Sequence, residues 1–498
     1  MGKDRVQMDI GPTEPQLEWD DINWRTIEKR VRNLRQRIFR ASQNNQWNKV
    51  RSLMKLMLRS KSNLLVSVRR ATQENKGRKT AGVDHHVAID PESRMKLVQE
   101  MEEISAWKVK PARRVYIPKA NGKERPLGIL TIKNRVAQSI VKNALEPSWE
   151  AKFESHSYGF RPGRSCQDAI EQCFKRLNAR TQDKWVLDAD VRAAFDTIDH
   201  DFIINKLGNI PGKSLIKEWL KAGYVEAEII HATKSGVQQG GVISPLLANV
   251  ALDGLQQLIG NKYGFIRYAD DFVITARSKE QIEAILPTVE AFLRERGLVL
   301  NTEKTRIVSI DCGFNFLGFN VRQPNGRCII QPQKEKVLAF LKEIRQWLRN
   351  HRQVPPEIVI SHLNVRIAGW SNYYRHVVSK RVFSYVEHKI WEALWKWCRR
   401  RHPKKPRKWI AEKYFTMNAG NRWQFFADTR TKSDANRKFY LMKISKVPIK
   451  RHIKVCGNAS PDDPSLQEYW NLRANSTERR NRQRTTSKQQ LGSAKGLS

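Results

Sequence analysis

The stretch Arg267-Tyr268-Ala269-Asp270-Asp271-Phe272 places two adjacent carboxylates between two short apolar runs. The runs predict a two-stranded hairpin over residues 264–276, with the carboxylates at its turn. A second acidic stretch, Leu187-Asp188-Ala189-Asp190-Val191-Arg192-Ala193-Ala194-Phe195-Asp196, continues a short strand predicted at residues 185–187. Adjacent carboxylates repel each other unless a cation neutralises them, and their oxygens suit Mg²⁺. Together the two stretches could hold two Mg²⁺ ions about 3.5–4 Å apart, as in many phosphoryl-transfer enzymes.

Each acidic stretch also has a purely structural explanation. Asp residues are common in turns, and an Asp that follows a strand often caps the next helix. We expect such structural or capping roles for Asp188, Asp196 and Asp199. Neither stretch decides between the two explanations alone, so the surrounding sequence must.

The chain carries a large excess of positive charge. Lys and Arg number 91 against 50 Asp and Glu, which gives a formal net charge of +41. Such a surplus predicts a polyanionic partner, either nucleic acid or an anionic membrane, and argues against an ordinary metabolic enzyme. The 498 residues are enough for about three domains. There is no run of about 18 apolar residues, so no transmembrane helix is predicted.

The six cysteines are scattered, with no pair at the spacing of a zinc knuckle or a redox dithiol. Unpaired cysteines are typical of reduced, intracellular proteins. The first 15 residues resemble neither a secretory signal nor a transit peptide. We therefore expect a cytoplasmic bacterial protein, and an organelle stays open as an alternative.

Hydrophobic patterning predicts a mixed part followed by a helical part. The predicted elements are helices from Ile22, a hairpin over 113–132, helices over 133–150 and 164–180, a strand at 185–187 and the hairpin over 264–276. This mixture predicts an α+β domain with an antiparallel sheet through residues 110–320. Beyond Pro332 the pattern is helical, and the polar composition after Arg473 predicts disorder.

Several motifs, in the order of a known family, resemble the reverse transcriptases encoded by group II introns. Tyr268–Asp271 is similar to their Tyr-x-Asp-Asp box, and Asp190 with Phe195 is similar to the first carboxylate motif of their palm. Further similar segments are Arg113–Lys119 and Arg125–Ile129 of the fingers hairpin, Ser157–Arg164, the glycine-rich Ser235–Asn249, Asn301–Thr305 and Phe316–Gly318. The resemblance covers about residues 20–470, and the combined pattern is far more specific than any one box.

The resemblance implies an α+β fold in which right-hand-like fingers and palm precede an α-helical thumb. The implied regions are a flexible arm at 1–20, fingers and palm with an N-terminal helical extension at 21–330, a thumb or maturase domain at 331–394, a DNA-binding region at 395–470 and a basic disordered tail at 471–498. Because no Cys follows Cys456 and no His follows His452, we expect no HNH-type endonuclease and no second-strand DNA cleavage.

The resemblance also assigns roles in the catalytic site. Asp190 and Asp270 would ligate two Mg²⁺ ions, and Asp271 would be a weaker or indirect ligand. The residues implied to bind the incoming nucleotide are Lys119, Arg125, Phe195, Gln239, Gly240 and Lys304. Lys119 and Arg125 would hold the triphosphate, and the Phe195 ring would leave little room for a 2′-hydroxyl. Gln238 departs from the family pattern, which has proline there.

Basic residues of the helical part are implied to contact nucleic acid through phosphates. The predicted RNA-binding residues are Arg345, Arg349, Arg375 and His376. The predicted DNA-binding residues are Arg399, Arg400, Lys404, Lys405 and Arg407. Removal of the chain from Trp391 onward is expected to spare polymerisation more than DNA targeting.

The resulting prediction is an RNA-directed DNA polymerase that binds its group II intron RNA, assists splicing and copies the intron into cDNA during retrohoming. Its partners would be the intron RNA, an RNA template with a DNA primer, target DNA and dNTPs, within a ribonucleoprotein and without a membrane. Two alternatives stay open: a splicing maturase without polymerase activity, and a host-adopted reverse transcriptase in repair or defence. The oligomeric state is left open.

Overall fold

The computed structural model describes residues 18–103, 107–118, 122, 124–178, 182–418, 420–430 and 436–474. Most of the arm predicted at 1–20 and of the tail predicted at 471–498 lies outside these residues. Within them, no helix is both long enough and apolar enough to cross a bilayer.

The N-terminal extension is helical, as predicted. It contains α1 (Trp24–Gln43), α2 (Trp47–Leu58), α3 (Lys61–Arg69), a π-helical turn at Arg70–Glu74, and α4 (Pro91–Met101). The side chains of Asn23, Ser60 and Asp90 cap α1, α3 and α4 by accepting a backbone N–H of the first turn. Apolar stripes on these helices face the first hydrophobic core, where Ile38 and Met57 are fully buried.

The fingers and palm follow as a mixed α+β part. Their elements are β1 (Ala112–Pro118), β2 (Glu124–Ile129), α5 (Ile132–Glu150), α6 (Cys166–Arg176), β3 (Trp185–Ala189), α7 (Ala194–Thr197), α8 (His200–Leu207), α9 (Lys213–Lys221), β4 (Tyr224–Glu226), β5 (Ile229–His231), α10 (Ser244–Leu252), α11 (Leu255–Ile259), β6 (Gly264–Tyr268), β7 (Asp271–Ala276), α12 (Lys279–Arg294) and β8 (Arg306–Ser309). The hairpins predicted over 113–132 and 264–276 are confirmed as β1–β2 and β6–β7.

Two four-stranded sheets organise this part of the chain. The fingers sheet has the order β2-β1-β4-β5, in which β1 pairs antiparallel with β2 and parallel with β4. The palm sheet has the order β6-β7-β3-β8, and all its pairs are antiparallel. Because Ala189 of β3 pairs with Phe272 of β7, the end of β3 and the turn of the β6–β7 hairpin lie at the same end of this sheet.

The remaining part is mainly helical, as predicted for a thumb. It contains β9 (Phe314–Phe316), β10 (Phe319–Arg322), β11 (Ile329–Pro332), α13 (Lys334–Asn350), α14 (Pro356–Tyr374), α15 (Lys380–Arg401), α16 (Arg407–Tyr414), β12 (Phe415–Asn418), β13 (Asn421–Arg430) and β14 (Asn436–Tyr440). The boundary predicted between 394 and 395 falls inside α15. The helix continues because Leu394, Trp397 and Cys398 keep its apolar stripe buried.

The second hydrophobic core joins the palm to the thumb and to residues 449–474, which we call the C-terminal segment. Val186 and Ile266 of the palm, Leu363 of the thumb, and Val455 and Ala459 of the C-terminal segment belong to this one core. The region predicted as a separate DNA-binding unit therefore ends in a segment that packs against the polymerase part.

Buried ion pairs fix the C-terminal segment to the palm and to α1. Asp168 of α6 is fully buried, and its Oδ1 accepts hydrogen bonds from His452 Nε2 at 2.9 Å, the Val455 N–H at 2.7 Å and Arg473 at 2.8 Å. These hydrogen bonds and the positive charge of Arg473 hold the pKa of Asp168 far below its usual range, against the desolvation that opposes it. Asp462 binds Arg35 of α1 at 2.7 and 2.8 Å.

Candidate active site

Asp190 is the residue that follows β3, and the segment before β8 holds it in place. Its backbone N–H donates to Oγ1 of Thr305 at 3.3 Å, and the Asn301 N–H donates to its carbonyl at 2.8 Å. Asn301 Nδ2 and Lys304 Nζ donate to Oδ2 of Asp190 at 3.0 and 2.8 Å. Lys304, predicted to lie near the active site, is the counter-ion of Asp190 in this structure.

Asp270 and Asp271 lie at the turn of the β6–β7 hairpin. Tyr268 pairs with Asp271 across the hairpin, so Ala269 and Asp270 alone form the turn. Ala269 has a φ of 60°, a left-handed conformation that costs a non-glycine residue about 1–2 kcal/mol. A Cβ on Gly159 would lie 2.3 Å from the Ala269 nitrogen, so this glycine allows the neighbouring segment to approach the turn closely.

A buried guanidinium supports this turn from inside the palm. Arg267 is fully buried, and its Nη1 donates to the Ala269 carbonyl at 3.2 Å and to Oδ1 of Asn249 at 3.0 Å. The nearest carboxylate oxygen, Oε2 of Glu154, lies 3.9 Å from its Nη2. Asn249 in turn donates to the Gly159 carbonyl at 2.9 Å. The strained turn of the β6–β7 hairpin is therefore bonded to charged and polar groups beneath it.

The carboxylates of the two acidic stretches act on one another electrostatically. Partial desolvation, followed by the negative charges of Asp270, Asp190 and Asp188, raises the pKa of Asp271 to about 7, although solvent reaches its side chain. Desolvation and Asp190 raise the pKa of Asp270 above its ordinary value. Desolvation raises the pKa of Asp188 to about 6 against the opposing charge of Arg306. Negative charge is thus concentrated at this end of the palm sheet.

The donor set at this end of the sheet fits a hard divalent cation by its chemistry. It consists of carboxylate oxygens, which Mg²⁺ and similar ions prefer, and their mutual repulsion is what a bound cation relieves. Among the described residues, no group of three or more His, Cys, Asp or Glu converges as a ready metal site. Lys304 and Asn301 donate hydrogen bonds to Oδ2 of Asp190. A metal ion can therefore bind this oxygen only if these donors move away from it.

The fingers hairpin contacts the glycine-rich loop next to these carboxylates. Arg125 of β2 donates through Nε to Oε1 of Gln239 at 2.8 Å, and Gln239 Nε2 donates to both carboxylate oxygens of Asp196 at 3.0 Å. Gly240 has a φ of 107°, and a Cβ there would lie 2.5 Å from the Gly128 carbonyl. The backbone of the glycine-rich loop therefore packs directly against the backbone of β2, which is possible because Gly240 has no side chain.

Other predicted nucleotide-binding positions lie around this contact. Phe195 of α7 is half-buried, and its ring lies 6.1 Å from that of Phe160 in an edge-to-face arrangement. Gln238, which departs from the family pattern, donates to the Gly223 carbonyl at 2.8 Å, so the loop keeps a fixed attachment without the proline ring. Lys119 lies outside the described residues.

Predicted RNA-binding and DNA-binding residues share one surface of the thumb. Arg345 and Arg349 of α13, with Lys396 and Arg400 of α15, line a cavity of about 220 Å³ between the two helices. We call this cavity the thumb groove. The other predicted DNA-binding residues are exposed at the end of α15 and the start of α16: Arg399, Lys404, Lys405 and Arg407.

Arg375 and His376 lie where the thumb meets the C-terminal segment. Arg375 is buried, and its Nε donates to the Pro448 carbonyl at 3.2 Å. Nδ1 of His376 lies 2.8 Å from the Lys450 carbonyl. The position of Arg375 differs from the prediction that it faces RNA, because the packing of α14 on the end of the chain covers it.

Sequence reasoning missed the residues that hold the predicted catalytic carboxylates. Asn301 and Thr305 were noted only as part of a family motif, and their spacing to Lys304 gave no sign that they bind Asp190. Arg267 stands directly before the Tyr-x-Asp-Asp box, but an arginine there suggests an exposed side chain. Asp196 was expected to be structural or capping, and its carboxylate accepts hydrogen bonds from the amide of Gln239, a partner that its sequence context did not indicate.

Fingers, palm and clustered carboxylates define a nucleotide polymerase of the reverse transcriptase class. The family profile described as reverse transcriptase (RNA-dependent DNA polymerase) matches residues 117–321. The N-terminal domain of reverse transcriptase matches residues 19–101, and the group II intron maturase-specific domain matches residues 337–415.

Individual proteins support the same assignment. Protein YkfC of Escherichia coli is 32% identical over an alignment that covers 53% of this chain and 81% of that protein. The group II intron-encoded protein LtrA of Lactococcus lactis is 28% identical, and the alignment covers 60% of this chain and 66% of LtrA. A telomerase structure from Candida albicans covers 62% of this chain and 65% of that chain at 12% identity, with a TM-score of only 0.35, too low to support a conclusion.

The chain belongs to the family of group II intron-encoded reverse transcriptases and maturases. The fold class, the enzyme class and the family predicted from the sequence are thereby confirmed. Members of the reverse transcriptase family are generally metal-dependent, and the maturase-specific domain supports an RNA partner.

Proposed function

We propose that this chain copies RNA into DNA at Asp190, Asp270 and Asp271 with two Mg²⁺ ions. The observation that carries the proposal is the meeting of these carboxylates at one end of the palm sheet, where the charge of Asp190 adds to desolvation in raising the pKa of Asp270 and of Asp271. Bound divalent ions would lower the pKa of the primer 3′-hydroxyl and stabilise the charge on the departing pyrophosphate. Asp190 and Asp270 are the main ligands in this proposal, and Asp271 is the weaker one.

The fingers and the loops beside the palm bind and select the nucleotide in this proposal. Arg125 lies close enough to act on the charge of Asp270, so a triphosphate held by Arg125 is next to the carboxylates. Lys119 of the same hairpin is proposed as a second cation for the triphosphate. The Phe195 ring excludes a 2′-hydroxyl, and Gln239 and Gly240 bring the backbone close to the nucleotide.

The thumb binds RNA, and the natural RNA is the intron that encodes the protein. Arg345, Arg349, Lys396 and Arg400 line the thumb groove with only one acidic residue, Glu392, among the lining residues. Together with the net charge of +41, this groove favours phosphate contacts that weaken with salt. We propose that it serves splicing and cDNA synthesis in one ribonucleoprotein, and that the exposed residues Arg399, Lys404, Lys405 and Arg407 contact target DNA.

Primer extension with matched substrates tests this proposal. A DNA primer is annealed to an RNA template, and the purified chain receives Mg²⁺ with either dNTPs or rNTPs. We expect extension with dNTPs only, and none when a chelator removes the Mg²⁺. RNA binding without any extension would replace the proposal with a maturase that has no polymerase activity, and equal use of rNTPs would contradict the role of Phe195.

A further inference from the structure

The amide of Gln239 is held between a carboxylate and a guanidinium. Its Nε2 donates to Oδ1 and Oδ2 of Asp196, both at 3.0 Å, and its Oε1 accepts from Arg125 Nε at 2.8 Å. An ionised carboxylate only accepts hydrogen bonds and a guanidinium only donates them. The orientation of the amide is therefore fixed by its two partners, and a flipped amide would face both of them with the wrong atoms.

Backbone contacts on both sides keep these three side chains together. The Val237 N–H donates to the Phe195 carbonyl at 2.6 Å, and the Gly236 N–H donates to the Ile198 carbonyl at 2.7 Å, so the loop runs along α7. On the other side, the Gly128 N–H donates to the Gln239 carbonyl at 2.6 Å. The series of hydrogen bonds from Asp196 through Gln239 to Arg125 thus connects the palm, the glycine-rich loop and the fingers.

We propose that Asp196 is a positioning residue that orients Gln239 and, through it, holds Arg125 at the site of the incoming triphosphate. The inference rests on the proposed function and adds a residue that touches neither metal nor nucleotide. Arg125 uses only Nε in this chain of contacts, and no partner of its two terminal nitrogens is found among the described residues. Those nitrogens remain available to an anionic ligand such as a triphosphate.

The isosteric change Asp196→Asn tests the orientation. Asn offers an N–H₂ group that can face the amide of Gln239, so the amide loses the partner that fixes its direction. We expect the KM for dNTP in single-nucleotide extension to rise about tenfold, equivalent to about 1.4 kcal/mol, while kcat changes much less. The same substitution at Asp201, an exposed carboxylate on α8, is the matched control for the loss of one negative charge and should leave the KM unchanged.

Exchange of the charge between Asp196 and Gln239 distinguishes a positioning role of Asp196 from a purely structural one. Gln239→Glu alone places two carboxylates against each other and should also raise the KM. In Asp196→Asn/Gln239→Glu, the new amide donates to the new carboxylate, which still accepts from Arg125. We expect the double variant to have a lower KM for dNTP than either single variant. All variants should melt at the same temperature, because these side chains are exposed or at the loop surface.

Two results would overturn the inference while leaving the proposed function intact. One is an active Asp196→Asn variant with an unchanged KM. The other is a double variant whose KM is the product of the two single effects, since independent sites add in free energy. If the unmodified chain itself shows no primer extension, the proposed function fails instead, and the two failures are thereby distinguished.

Discussion

At the scale of single residues, the carboxylates of the proposed active site repel one another, and the pKa of Asp271 is affected most. Partial desolvation and then Asp270, Asp190 and Asp188 raise its pKa to about 7. A raised pKa means that the folded protein keeps this proton up to near-neutral pH. A divalent ion must therefore displace a proton from Asp271 as well as neutralise charge.

This competition predicts that the Mg²⁺ requirement depends on pH. As the pH rises from about 6 to about 8, Asp271 loses its proton, and we expect the Mg²⁺ concentration for half-maximal primer extension to fall. Asp271→Asn has no proton to lose at this position, so its Mg²⁺ requirement should be higher than that of the unmodified chain and should vary less with pH. An Mg²⁺ requirement that is constant over this range in the unmodified chain would contradict the assigned pKa.

The proposed catalytic carboxylates were accessible to sequence reasoning because their two short acidic stretches stand among other motifs in the order of the reverse transcriptase family. The groups that hold them were not. Asn301 binds Asp190 across 111 residues of sequence, and Gln239 binds Asp196 across 43. Hydrogen bonds between distant segments leave no local pattern, so the sequence indicated a structural or capping role for Asp196 but not its partner.

At the scale of elements, the β6–β7 hairpin depends on the charge beneath its turn. Arg267 lies fully buried among Ala269, Asn249 and Glu154, where its guanidinium bonds the strained residue of the turn. Two short apolar runs predicted the hairpin. The same pattern could not predict the buried cation, because arginine is normally exposed and only the tertiary structure supplies its acidic partner.

Removal of this buried cation should destabilise the hairpin strongly. Arg267→Met keeps the length of the side chain but removes the hydrogen bonds to the Ala269 carbonyl and to Asn249 and the charge that faces Glu154. Loss of one member of a buried ion pair costs about 3–5 kcal/mol. Unfolding in urea, followed by tryptophan fluorescence, measures this loss. Arg277→Met, at an exposed arginine just after the same hairpin, should cost less than about 0.5 kcal/mol. Equal effects of the two variants would contradict the supporting role of Arg267.

At the scale of the whole molecule, the chain returns to the polymerase part after the thumb. Asp168 is buried with His452 and Arg473 as partners 284 and 305 residues away, and Asp462 binds Arg35 across 427 residues. The sequence predicted a helical N-terminal extension, a mixed α+β part and a helical part after it, and the elements follow in that order. It did not predict this return, because contacts at such separations have no periodicity or spacing that marks them.

This return changes the expected result of truncation. From the sequence, we expected that loss of the C-terminal region would spare polymerisation. In the structure, removal of residues 449–498 would expose apolar residues of the second core. It would also leave Asp168 buried without its partners His452, Val455 and Arg473. We expect the shortened chain to melt at a lower temperature and to lose primer extension even at saturating primer-template. Glu468→Ala, which changes an exposed residue of the same segment, is the control and should retain activity. An unchanged melting temperature after truncation would show that the C-terminal segment is an independent unit.

The most direct test of the central claim compares the unmodified chain with Asp270→Ala in two measurements on the same preparation. The first is dNTP incorporation on an RNA template with Mg²⁺, and the second is binding of the same RNA at fixed salt. Because Asp270 lies at the catalytic turn and the thumb groove is a separate surface, we expect cDNA synthesis to be abolished and RNA binding to be retained. Undiminished synthesis by Asp270→Ala, or equal loss of synthesis and binding, would contradict the assignment of this carboxylate to the active site.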